Sequence, residues 1–304
     1  MTSAAAPGAG PFDHRMAVFG SDDEFLARAL PFLAEGLAAR HEPPPVVIAA
    51  PGNLDLLRDA LGPAAGGVGL VPHTEWYTGS AANAIARGAG YLAEHAGPGG
   101  RIHLLMEPVW GGRAGRSPRE TAEWIRYEAL VNLLFAPLAT TALCAYDTRV
   151  AGATVVAAAR RTHPDCAVYE DPLRIAAELD AVPLPAPPAA ADRIPGPAPA
   201  DGAVRTWATV QGLAPAEAEV FATAVAEAAA ALGPVDRVLL WTDGPACVGE
   251  LRPVRRVEDP LAGFVPPPDA ASGQGRGLWF ARQVCAYVDV RDEPGGTSVR
   301  LQYG

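Results

Sequence analysis

At 304 residues the chain has the length of two ordinary domains, and with 49% hydrophobic and 19% charged residues it is globular rather than disordered. A formal charge of −10 argues against a protein that wraps nucleic acid or lies on an anionic membrane, since both need clustered Lys and Arg. No apolar run is long enough to span a bilayer and no leader-like segment opens the chain, so a cytoplasmic protein is expected.

Residues 1–13 are small, Pro/Gly-rich and aperiodic, and are expected to fray. A first domain is expected over 14–183. Short apolar segments at 16–19, 46–50, 68–71, 102–106 and 141–146 read as buried strands, with helical patterns between them at 22–40, 53–61, 80–95, 118–138 and 151–161. Ser21, Asn53 and Ser117 stand where helix caps belong. Strands alternating with helices of this length predict an α/β, doubly wound parallel sheet with helices on both faces.

Ligands of such sheets bind beyond the carboxyl ends of the strands. The residues there are His73, Glu75, Trp76 and Tyr77, then Glu107 and Trp110, then Tyr146 and Asp147; the fourth helix adds Trp124, Tyr127 and Glu128 near one face, together with Asn132. Together they would form an aromatic-walled pocket with carboxylates, suited to a small polar or cationic ligand. Glu107, Glu128, Tyr146 and Asp147 are the candidates if the pocket is catalytic. The alternative makes Trp124 and Tyr127 core residues, pairs Glu128 with Arg126 or Arg119, and leaves Asp147 to turn the chain. No phosphate-binding G-x-x-x-x-G-K-[ST] loop follows the first strand. His14 and His163 are isolated in sequence, and Cys144, Cys166, Cys247 and Cys285 lie far apart. With no H-x-x-x-H, H-E-x-x-H or C-x-x-C spacing, no metal site is expected, and the cysteines read as reduced, mostly buried thiols.

The runs His14–Phe19, Pro31–Leu37, Trp76-Tyr77, Glu107–Trp110, Tyr127-Glu128 with Asn132, Leu143–Asp147 and Thr162–Pro164 resemble the MEDS domain, the methanogen/methylotroph sensory domain of dichloromethane-type regulators. The resemblance covers nearly the whole first half and implies a degenerate RecA-like sensor of a small molecule. His14 and His163 join the ligand-binding candidates through it. Ala145 departs from the pattern, where proline is usual before the Tyr-Asp pair.

Prolines crowd the stretch 184–203, which is expected to be a linker with neither helix nor strand. Beyond it, 204–304 reads as a second, α+β domain. Its parts are a helix over 214–232, a hairpin of 237–241 and 247–251 around Asp243-Gly244, a glycine run at 273–277 leading into a helix, and a hairpin of 287–291 and 297–301. Glycines at alternate positions before a helix read either as a phosphate lid or as a plain glycine-rich loop.

The order of these elements, with Asp259–Gly263 ahead of the glycines, resembles the GHKL-type ATPase domain of anti-sigma factor kinases. Fusion to a MEDS domain resembles actinobacterial anti-sigma regulatory proteins. The resemblance implies that Glu227 occupies the helix acid's place and that Gly273, Gly275, Arg276 and Gly277 form the lid of an ATP site. Ala231 stands where the magnesium-binding Asn belongs, and Pro253 and Arg255 stand in the adenine-reading turn. A degenerate site follows, with no cofactor expected and Mg-ATP disfavoured. The expected function is a regulator that senses a small molecule and binds a sigma factor or anti-sigma antagonist. An active anti-sigma serine kinase and an enzyme working in the first-domain pocket are the alternatives, and kinase-fold relatives often pair, so a homodimer is among the expectations.

Overall fold

The computed structural model describes residues 12–96, 100–108, 110–111, 117–195, 201–233, 235–253, 256–257, 259–264, 273–293 and 296–304. Two compact units share the chain: Met1–Ala81 with Arg87–Leu179, and Ala82–Ala86 with Asp180–Gly304.

The first unit is built on five strands, β1 (Phe12–Phe19), β2 (Val46–Ala49), β3 (Gly69–Pro72), β4 (Ile102–Met106) and β5 (Thr140–Asp147). They pair in parallel in the order β1-β5-β4-β2-β3. The connections carry helices α1 (Asp22–Ala38), α2 (Pro51–Leu61), α3 (His73–Trp76), α4 (Ala81–His95), α5 (Pro118–Leu134) and α6 (Thr148–Thr162), and α7 (Pro172–Asp180) follows. Strand alternation divides the side chains between two layers. Ala17, Phe19, Leu143 and Ala145 pack with Phe25, Leu33, Leu54 and Leu57 of α1 and α2, whereas His14, Leu104, Ala142 and Cys144 meet Tyr127, Glu128 and Val131 of α5. Helices therefore cover both faces, as the alternation of elements predicts.

Caps set several helix boundaries. Ser21 and Ser117 accept hydrogen bonds from the amides of Glu24 and Glu120, each at 3.2 Å. Asn53 is not a cap, because α2 starts at Pro51 behind Ala50 and leaves Asn53 buried in the first turn. The fifth expected helix starts earlier, at Thr148, where Asp147 accepts from the Arg149 amide at 2.8 Å.

The second unit contains β6 (Asp192–Pro195), α8 (Asp201–Val210), α9 (Pro215–Leu232), β7 (Val235–Asp243), β8 (Ala246–Pro253), α10 (Gly273–Val284), β9 (Tyr287–Glu293) and β10 (Gly296–Tyr303). Its strands form a separate antiparallel sheet, β6-β7-β8-β10-β9. The core joins Phe221, Val225 and Leu232 of α9 and Leu278 of α10 to Val238, Leu251, Val299 and Leu301 of the sheet. On rungs that pair Glu250 with Arg300, the guanidinium binds the carboxylate at 2.6 and 3.0 Å and lies over the Trp241 ring at 5.0 Å.

The proline-rich stretch does not lack regular structure. It supplies β6 at the edge of the antiparallel sheet, a place where proline's missing N–H is tolerated. Helix α8 then begins at Asp201, within residues expected to be linker. The first hairpin turns at Gly244-Pro245, one residue later than expected, with Asp243 already paired to Ala246 and Gly244 at φ +58°.

Candidate functional site

The first unit brings together four buried side chains that are far apart in sequence. His14 comes from β1 and Cys144 from the same face of β5, two residues beyond His14's partner Ala142. Helix α5 lays Glu128 over them, and His163 enters from the end of α6. One ligating atom of each lies within 4.8 Å of the other three. The Glu128 carboxylate Oε2 is 3.7 Å from His14 Nε2 and 3.7 Å from His163 Nε2. His14 Nε2 is 3.3 Å from Cys144 Sγ.

The surroundings fix how each imidazole is oriented. Asn132 donates from Nδ2 to the carbonyls of Thr162 at 2.8 Å, Ala129 at 3.1 Å and Glu128 at 3.2 Å. Its Oδ1 is left as an acceptor, so His14 must carry its proton on Nδ1 and donate to Asn132 at 3.0 Å. His163 likewise donates from Nδ1 to the Ala159 carbonyl at 2.7 Å. Both histidines therefore turn an Nε2 lone pair toward Glu128. Neither 3.7 Å contact is a hydrogen bond, and His163 Nε2 and Glu128 Oε2 have no hydrogen-bond partner among the described residues.

Burial sets the protonation of the group. It holds His14 well below the usual histidine range, with His163 adding to the effect and Asn132 opposing it. It takes His163 down to about 4 against the pull of the Ala159 carbonyl. The Glu128 carboxyl is pushed up to about 7 by burial, opposed by the Tyr146 hydroxyl and the Cys144 thiol. Burial and then the Glu128 charge push Cys144 and Tyr146 well above their usual ranges. At neutral pH the imidazoles are uncharged and the thiol keeps its proton, which it gives to His14 Nε2.

A cavity of ≈ 10 Å³ adjoins His14, Glu128 and Cys144, with Leu104, Val131 and Phe135 among its apolar walls. That is room for about one water-sized group. Gly88 of α4 makes space for this wall, since a Cβ there would sit 2.9 Å from the Phe135 ring.

Of the other residues predicted for the site, Tyr77, Trp124 and Tyr127 form a buried aromatic chain with successive ring centroids 5.5 Å apart, and Tyr146 meets His163 edge-on at 5.8 Å. Trp76 turns instead to Tyr91, at 5.3 Å. Trp110 is buried.

Three expectations need correction. The polar cluster lies under α5 against the β1–β5 edge of the sheet, not beyond the strand ends, because His14 and Cys144 point from a strand face and not from its tip. Glu107 closes the start of α2, accepting from the Ala50 amide at 2.8 Å and Asn53 Nδ2 at 2.9 Å. Asp147 caps α6 and grips the Arg149 guanidinium at 2.8–3.0 Å, so it too stands outside the cluster. Sequence spacing missed Cys144 altogether, although its position two residues before Tyr146 puts both on one strand face.

In the second unit Gly273, Gly275, Arg276 and Gly277 all belong to the opening of α10. Glu227 and Arg276 are exposed, while Gly277 is buried where α10 crosses α9. A Cβ there would collide with the Glu227 carbonyl and lie 2.9 Å from the Ala231 Cβ. Ala231 is itself buried. Arg255 lies outside the described residues.

Among protein families, the model described as MEthanogen/methylotroph, DcmR Sensory domain (MEDS) matches residues 13–164. Comparison with curated proteins and with solved structures gives no match.

Proposed function

Because this chain belongs to the MEDS family of sensory domains, we propose that it is a regulatory protein that senses a small molecule in its first unit and reports the bound state through its second. The observation that carries the reading is the buried cavity in which His14, Glu128 and Cys144 face apolar walls. A few fixed polar groups in an apolar enclosure orient a small ligand and exclude larger ones. On this reading the parallel sheet is a RecA-like domain without its phosphate loop, and Tyr77, Trp124 and Tyr127 form a rigid wall behind the site.

The second unit, beyond a boundary in 184–203, is read as a GHKL-like domain that has lost its nucleotide and binds a sigma factor or an anti-sigma antagonist. The order α9, β7–β8, α10, β9–β10 supports this. Mg-ATP does not fit the residues present, since Ala231 has no amide to offer and packs against Gly277. No phosphoryl-transfer step is assigned.

Native mass spectrometry of the full chain, mixed with cell-extract metabolites, tests the sensing reading. The expected result is a retained small-molecule adduct that disappears in Val131→Phe, which fills the cavity. An adduct of equal strength in that variant, or none in the wild type, refutes the reading. Calorimetry with ATP or ADP is expected to give no heat of binding, and tight magnesium-dependent binding would overturn the assignment of the second unit.

A further inference from the structure

We propose that His14, Glu128, Cys144 and His163 form a binding site for one divalent transition-metal ion of the zinc class. The site goes beyond the sensing role and stands without it. Two imidazole Nε2 atoms and a carboxylate oxygen converge in a buried place, and His163 Nε2 and Glu128 Oε2, 3.7 Å apart, have no hydrogen-bond partner among the described residues, an arrangement that a cation would satisfy.

The spacing fits such an ion. Metal–ligand bonds of about 2.0–2.3 Å at tetrahedral angles place neighbouring ligand atoms about 3.3–3.6 Å apart. Of the six edges among the four atoms, three are 3.3, 3.7 and 3.7 Å, and all lie within 4.8 Å, so a modest inward movement of the side chains completes the coordination. Charge fits as well. On metal binding the Cys144 thiol releases its proton to solvent, as does Glu128 where it holds one, and the thiolate and carboxylate together neutralise a 2+ ion in a buried place. Two imidazoles and a sulfur select a borderline-soft metal over calcium or magnesium, which take oxygen ligands. The outer layer is already built, since the Nδ1 protons of both histidines are held by Asn132 and the Ala159 carbonyl, the arrangement that orients ligating histidines.

The test uses the full chain purified without chelator. Elemental analysis, followed by Co²⁺ titration of metal-free protein that circular dichroism finds folded, is expected to give one bound metal per chain. The cobalt form should display four-coordinate d–d bands and a thiolate-to-cobalt charge-transfer band. Cys144→Ser is expected to lose the charge-transfer band and keep weaker binding, and His163→Gln to bind at least tenfold more weakly. Lack of stoichiometric Zn²⁺ or Co²⁺ in the folded wild type overturns the proposal, as does a wild-type cobalt spectrum without a thiolate band. Both readouts stand even where a variant fails to fold. A charge-transfer band that survives in Cys144→Ser also overturns it, by placing the metal on another cysteine.

Discussion

Gly277 decides between two uses of the same glycines, a phosphate lid and a helix contact, and Gly277→Ala separates them. Alanine in place of a helix-interior glycine ordinarily stabilises by about 0.8–1 kcal/mol. At Gly90 in α4 nothing lies within 4 Å of an added Cβ, so Gly90→Ala should realise that gain. At Gly277 the new atom would overlap the Glu227 carbonyl and press on Ala231. A backbone oxygen cannot rotate away, so α9 and α10 must draw apart across the core that joins Leu232 to Leu278. Overpacking of this kind costs about 1–3 kcal/mol, and taking the upper half because the obstacle is backbone leaves a net loss of about 1–2 kcal/mol after the helix-propensity gain. Urea unfolding of the full chain, followed by far-ultraviolet circular dichroism, should therefore move the relevant midpoint down for Gly277→Ala and up for Gly90→Ala. A Gly277→Ala protein as stable as wild type would refute the packing argument and return the glycines to a mobile loop.

Glu107→Ala should destabilise by about 1–2 kcal/mol through loss of the α2 cap, seen as a lower urea midpoint, while small-molecule adducts in native mass spectra stay unchanged. Truncating Glu250 to Ala strands the buried Arg300 guanidinium and should cost about 3–5 kcal/mol in denaturant titrations, while Arg300→Ala should cost less because Glu250 keeps Arg252 at 3.0 Å. Replacing both, with Leu and Met, should recover most of that; equal losses in single and double variants would argue against the pairing. Burial pushes the Cys285 thiol up to about 12, so at pH 8 only about 10⁻⁴ of it is thiolate. Mass spectrometry after brief alkylation of the native protein should find Cys166 modified before Cys285, with all four cysteines modified in urea; rapid labelling of Cys285 in the folded chain would contradict its burial.

Most of the first unit was readable because its longer elements satisfy local rules, while the short α3 and α7 carry no comparable signal. Apolar runs such as Val46–Ala49 are buried on both faces, and Ser21 and Ser117 mark helix starts through their own hydroxyls. Cys144 and the histidines were not readable in the same way, since their chemistry depends on the register of β1 against β5 and on the rotation of α5, neither of which leaves a spacing in the sequence. Glu107 and Asp147 looked like ligands because strand-end carboxylates serve ligands and helix starts alike, and only the position of Ala50 and Arg149 tells the two apart. Proline density misled at β6, where an edge strand can dispense with N–H donors. A short helix such as α8 has its apolar face at Val204 and Ala208, too few positions to stand out beside the prolines that precede it.

The place of β1 in the sheet also bears on how the protein is made. Phe12 pairs with Thr140 and Phe19 with Asp147, and among the described residues β5 is the only sheet neighbour β1 has. The ribosome produces β1 early and its partner much later. At ~5–20 residues per second, β1 waits about 6–25 s with its backbone unpaired. During that interval His14 has neither Cys144, Glu128 nor His163 to face, so an emerging chain cannot hold a ligand or a metal through this cluster until translation has passed His163.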